Sequence, residues 1–222
     1  VGGLGDWYMA NNRVELIIDD VRNQNGLAPS GGTIVDYGEL GRDNDQFNQL
    51  YQLVMFSQNA PIAYNAISAS ARGDVARITV RGQVFASNDA SPVSAAVAED
   101  LQVETIYELR HDDPSIYVRT KLTNEGSEAV SSGAGVPISD ILVWGKRGLR
   151  AFAWGRGYDH PALDVSNPIG ALGSFYFVAA TGEVDPPVAY GVMSTTEARG
   201  SVWGVNIDDF SGIGQAPVPD GA

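Results

Sequence analysis

Val75-Ala76-Arg77-Ile78-Thr79-Val80-Arg81-Gly82-Gln83-Val84-Phe85 (VARITVRGQVF) is the stretch that decides the fold class. Val75, Ile78, Val80 and Val84 alternate with Arg77, Thr79, Arg81 and Gln83, with one slip near Ala76. A period of two residues puts apolar groups on one face of a strand and polar groups on the other. Two further stretches, Gln102 to Arg110 (QVETIYELR) and Ser115 to Thr123 (SIYVRTKLT), read as consecutive antiparallel strands. The link between them, His111-Asp112-Asp113-Pro114, is a turn by composition, because Asp before Pro initiates turns and Pro interrupts strand pairing.

The same punctuation extends in both directions. Arg13 to Asp19, Asp140 to Trp144, Leu149 to Trp154, Ser174 to Ala179, Ala189 to Met193 and Ser201 to Ile207 are further strand candidates between Gly, Asn and Pro clusters. Gly5 to Val14 (GDWYMANNRV) reads as a hairpin turning at Asn11-Asn12. Short strands at this spacing predict an all-β, antiparallel sandwich or barrel, with the sandwich preferred. Two segments have helical spacing. Asp45 to Phe56 places Phe47, Leu50, Tyr51 and Val54 on one helical face, but equally suits an extended segment crossing the sheet. Ala95 to Leu101 is short and weak. No composition break divides the chain, so residues 1–210 are expected to form one domain, followed by a Pro/Gly-rich tail or linker at 211–222.

Composition narrows the role. Of 222 residues, 27 are acidic and 14 basic, a net charge of −13. That field repels phosphate backbones and argues against nucleic acid as a partner. Charged residues are only 18%, while glycine reaches 26 residues; neutral polar groups and glycine turns suit a secreted, periplasmic or cell-surface β protein. There is no cysteine, which excludes disulfides, thiolate metal sites and a thiol nucleophile. No apolar run approaches the roughly 20 residues of a membrane helix. The chain opens at Val1 without Met, as expected of a processed protein or a fragment.

Several segments, in this order, carry a resemblance. They are Gly5 to Val14, Gly31 to Asp36 (GGTIVD), Tyr107 to Thr123 followed by Asn124-Glu125-Gly126, Asp140 to Gly145 (DILVWG), Gly155-Arg156-Gly157 and Val188 to Val192 (VAYGV). Together they resemble the N-terminal β domain of secreted bacterial CehA/McbA-like (PHP-type) metallohydrolase proteins, itself similar to the galactose-mutarotase-like supersandwich. The resemblance implies a supersandwich, and no catalytic residue comes with it: two histidines, His111 and His160, cannot supply the family's His-rich metal cluster. The supersandwich is also usually longer than this chain. The resemblance therefore implies either that final strands are missing at the C-terminus or that a neighbour completes the sheet by strand addition.

Four groups of residues are candidates for chemistry. Trp154, Arg156, Tyr158, Asp159 and His160 form a candidate ligand loop, since aromatic faces stack on sugar rings and Arg or Asp bonds hydroxyls; a loop packed on the sheet edge explains the same residues. Asp43 and Asp45, in Asp43-Asn44-Asp45, suit calcium by residue type, although the Gly and distal Glu of an EF-hand are missing; no other cofactor is expected. His111 beside Asp112 and Asp113 suggests acid–base chemistry but has no nucleophile or oxyanion donor next to it, and reads better as an exposed turn. Glu104, Glu108 and Asp140 are candidates for paired acid–base carboxylates; Glu104 and Glu108 share strand parity, as paired catalytic carboxylates would and as the solvated side of a sheet would. Trp144, Trp154 and Trp203, each followed by Gly, read as packing residues near bulges. The expectation is a non-catalytic module that binds or assembles, with a glycan, a partner protein or a parent domain as its ligand. A carbohydrate-active enzyme of epimerase or lyase type and a structural subunit of a surface complex are the rivals.

Overall fold

The structure, a computed structural model, describes residues 2–24, 28–42, 47–55, 59–85, 99–130, 138–144, 150–153, 157–158, 177–181, 188–193 and 201–206. Its regular elements there are strands: β1 (Trp7–Ala10), β2 (Val14–Ile18), β3 (Ile34–Glu39), β4 (Phe47–Met55), β5 (Asn59–Arg72), β6 (Val75–Val84), β7 (Leu101–Arg110), β8 (Ile116–Asn124), β9 (Ile138–Trp144), β10 (Arg150–Ala153), β11 (Gly157–Tyr158), β12 (Phe177–Thr181), β13 (Ala189–Met193) and β14 (Ser201–Asn206). The chain is all-β, and among the described residues every pairing is antiparallel except β14 with β9.

Strands β1 to β8 hydrogen-bond in sequence order, with β9 on the other edge of β4 and β14 beyond it. Strand β5 folds this path into two sheets. Its first residues, Asn59 to Pro61, pair with β4, whereas Ile62 to Arg72 pair with β6. Pro61 stands where the strand changes partner and lacks the N–H that a continued ladder would use. The β5–β6 hairpin closes at Gly73-Asp74, with Gly73 at φ 56°, the left-handed first position that a two-residue primed turn reserves for glycine.

One core lies between the sheets. Met9, Val14, Leu16, Ile18, Ile34, Leu50 and Val54 come to it from β1–β4, and Ile62, Tyr64, Ile78, Val80, Val84, Leu101, Val103, Tyr107 and Leu109 from β5–β7. The alternation read in β6 is real: Ile78, Val80 and Val84 are buried while Arg77, Thr79 and Arg81 are not. The slip is real too. Val75 lies opposite Arg110, in register with the arginine face, and Ala76 takes the inward place against Leu109.

Strand β4 resolves the segment with two readings in favour of the extended one. Leu50 and Val54 enter the main core, while Tyr51 packs on the opposite face with Ala28, Ile141 and Val143, against Leu53. A central strand buried on both faces carries apolar residues without strict alternation, and so imitates helical spacing. Of the second helical candidate, Ala95 to Leu101, residues 95–98 lie outside the described residues, and Leu101 begins β7. The tail expected at 211–222 also lies outside them.

The core carries a polar seam. Tyr107, fully buried, donates to the Gly32 carbonyl at 2.9 Å and to Gln52 Oε1 at 3.4 Å. The Tyr64 hydroxyl meets Thr105 Oγ1 at 2.7 Å and Gln52 Oε1 at 3.3 Å, and Thr105 meets Thr120 Oγ1 at 2.9 Å. Gln52 Nε2 donates to Asp140 Oδ1 at 3.0 Å. Nearby, Asp19 Oδ1 accepts from the Thr33 amide at 2.7 Å, and Gln49 Nε2 donates to Thr33 Oγ1 at 3.0 Å. Buried polar groups are tolerated where such partners replace water. Burial raises the pKa of both tyrosines and of Asp140, the last partly offset by the Gln52 amide. Burial thus disfavours the charged form of each, which suits a seam of hydrogen-bonded groups between the sheets.

Candidate binding face

The outer face of the β5–β8 sheet is where the described charges collect. The registers set its side chains in rows: Arg81, Glu104 and Lys121; Thr79, Ile106 and Arg119; Arg77, Glu108 and Tyr117. Glu104 and Glu108 do share a face, as their parity predicts, and that face is the solvated one. Each is held by arginine. Glu108 receives Arg77 Nε at 2.7 Å and Arg110 Nε at 2.8 Å, and these two guanidiniums, Arg110 first, hold its carboxyl below the usual glutamate range. Glu104 receives Arg81 at 2.8 Å. The Arg110 guanidinium lies 3.9 Å above the Tyr117 ring, a cation–π contact, and the Tyr117 hydroxyl donates to Asp113 Oδ2 at 2.9 Å.

Arg119 and Lys121 differ from these. Both are exposed, two residues apart on β8, and neither has an ion-pair partner among the described residues. The face thus carries Arg72, Arg77, Arg81, Arg110, Arg119 and Lys121 against Glu104 and Glu108, with Asp113 at its rim, a net positive charge in a chain whose total is −13.

The His111–Pro114 turn is a clasp. Asn11, at the tip of the β1–β2 hairpin, donates through Nδ2 to the Arg110 and Asp113 carbonyls, both at 2.7 Å. Its Oδ1 accepts from the amides of Arg13 at 2.8 Å and Val14 at 2.9 Å. Arg13 Nε and Asn12 Nδ2 both reach Asp112 Oδ1, at 2.8 and 2.9 Å, and Arg13 leads in holding that carboxyl below the usual range. Tyr37 donates to the Pro114 carbonyl. Asp112 adopts φ 59°, a left-handed conformation that Asp accepts more readily than most residues. His111 is exposed, and its backbone N–H donates to the Asp74 carbonyl at 2.8 Å. Two turns that stand far apart in the sequence therefore hold one end of the two sheets together.

Of the expected ligand loop, Tyr158 has a described backbone, in β11 opposite Phe152. Trp154, Arg156, Asp159 and His160 lie outside the described residues, as do Asp43 and Asp45. Trp144 and Trp203 lie in β9 and β14, and their strands pair in parallel. Among the described residues, no group of three or more His, Cys, Asp or Glu side chains is placed to hold a metal ion, and no helix is long and apolar enough to cross a membrane. Sequence reading weighed the two glutamates and overlooked the cations around them. The signal was available in Arg77 and Arg81 at one spacing and Arg119 and Lys121 at another, but only the register joins them into one surface.

The fold and this face define a β-rich protein with an electropositive sheet surface. Comparisons with protein-family models, with curated proteins and with solved structures find no match to the chain.

Proposed function

We propose that the chain is a non-catalytic β-sandwich module that binds or assembles in a secreted, periplasmic or cell-surface protein. The observation that carries this reading is the outer face of the β5–β8 sheet. Its carboxylates are committed to arginines, so they hold the surface in place and are not poised for proton transfer, while Arg119 and Lys121 remain available to a ligand. The two-layer core supports the sandwich architecture, and a supersandwich of the galactose-mutarotase type fits that layering. The test is a glycan-array screen together with a pull-down using the purified chain. Capture of a glycan or a defined partner is expected, and clean negatives in both would defeat the reading.

A further inference from the structure

We propose that the outer face of the β5–β8 sheet binds an acidic polysaccharide, with Arg119 and Lys121 as the contact cations and Arg81 beside them. This rests on the binding-module reading above and specifies its ligand. Three observations carry it.

The first is sign. The face holds six cations and two carboxylates, with a third carboxylate, Asp113, at its rim, while the chain as a whole stands at −13. Everything outside the face is therefore more acidic still, and a polyanion is steered to this surface and repelled elsewhere. The second is availability. Arg77 and Arg110 are neutralised at Glu108, and Arg81 at Glu104, but Arg119 and Lys121 have no ion-pair partner among the described residues.

The third is what surrounds the cations. A protein interface draws most of its energy from buried aromatic or aliphatic anchors. Among the described residues the exposed large hydrophobics are Leu4, Tyr8, Leu40 and Met193, and none lies on this face. Its aromatic ring, Tyr117, is covered by Arg110. The neighbouring positions include Ser68, Thr79, Gln83, Gln102 and Thr123, hydroxyls and amides of the kind that bond sugar hydroxyls, with the half-buried Ile106 between Thr79 and Arg119. A mostly polar surface with cations unpaired among the described residues matches a hydroxyl-rich polyanion better than an acidic protein.

The layout favours a linear chain. Arg119 and Lys121 stand about 7 Å apart along the strand, and neighbouring strands about 5 Å apart across the sheet. Strand β8 ends the hydrogen-bonded path, so no described strand beyond it blocks a polymer longer than the face.

The experiment titrates the whole chain with polygalacturonate, with neutral dextran and poly-L-glutamate as comparisons, and repeats it with the double variant Arg119→Gln/Lys121→Gln. Among the described residues neither has a side-chain partner to lose, so the variant is expected to melt with the parent. Polygalacturonate should bind, weaken as salt is added, and lose about tenfold in affinity in the double variant, as for two exposed charge contacts. No binding, or binding that the double variant leaves unchanged, overturns the assignment. So does equal or tighter binding of poly-L-glutamate, which would give the face to an acidic protein. If a neutral glycan or a protein partner is captured while polygalacturonate is not, the assignment falls and the binding-module reading stands.

Discussion

Replacing Asn11 by Ala tests the clasp between the two sheets. The side chain makes four hydrogen bonds, two donated to the Arg110 and Asp113 carbonyls and two accepted from the Arg13 and Val14 amides. A hydrogen bond contributes about 0.5–1.5 kcal/mol net, and water reaches part of this site, so the low end applies to each. The expected loss is about 2–3 kcal/mol. For a chain of this size each kcal/mol moves the melting temperature by about 2–4 °C, which gives a drop of about 4–12 °C. Asn11→Asp separates the two halves of the network, since it keeps both accepted bonds but sets a carboxylate against two carbonyl oxygens. It should destabilise at least as much as Ala. Asn12→Ala loses a single exposed bond to Asp112 and should cost under about 0.5 kcal/mol. Urea denaturation followed by circular dichroism measures all three, with an unchanged denaturant slope as the sign of a simple stability effect. If Asn11→Ala were no worse than Asn12→Ala, the clasp would be incidental and the reasoning wrong.

Two carboxylates should respond to pH with opposite signs. Glu108, held below its usual range by arginines, contributes stability that is present above the ordinary glutamate pKa and lost as pH falls through its own depressed one; Glu108→Gln should therefore destabilise at neutral pH and match the parent in strong acid. Asp140, raised by burial, carries a penalty that sets in as pH rises above the ordinary aspartate range, so Asp140→Asn, which can still accept from Gln52, should stabilise at neutral pH with a gain that vanishes in acid; parallel urea titrations across pH show whether the two curves diverge as stated. Gly82→Ala should cost at least about 3 kcal/mol, the upper part of the overpacking range, because its Cβ would stand 2.0 Å from the Ala63 carbonyl oxygen and 2.6 Å from Tyr64 Cα; a melting temperature within a degree of the parent would contradict that close approach.

How much of this was legible depended on how each strand is buried. β2, β6, β7 and β8 were readable because one face meets the core and the other meets solvent, which writes a two-residue period into the sequence. β4 left two readings because it is covered on both faces, and only its pairing with β9 and β5 decides between them. β5 was missed altogether. From Asn65 to Arg72 it is mostly exposed, and its run of Ala and Ser (AISASA) has no apolar rhythm; its partner β6 holds it in place. The polar seam was invisible for a related reason, since Gln49, Gln52 and Thr105 resemble surface residues until the register brings their partners to them. The candidate face was half legible: the shared side of Glu104 and Glu108 follows from parity, as does Arg110 two residues beyond Glu108, but Arg77 and Arg81 come from β6, across a register that local sequence does not encode.

β5 is a rib shared by the buried interior and the charged lattice: Asn59 to Pro61 pair with β4, and the same strand runs on to form the hairpin with β6, which carries Arg77 and Arg81.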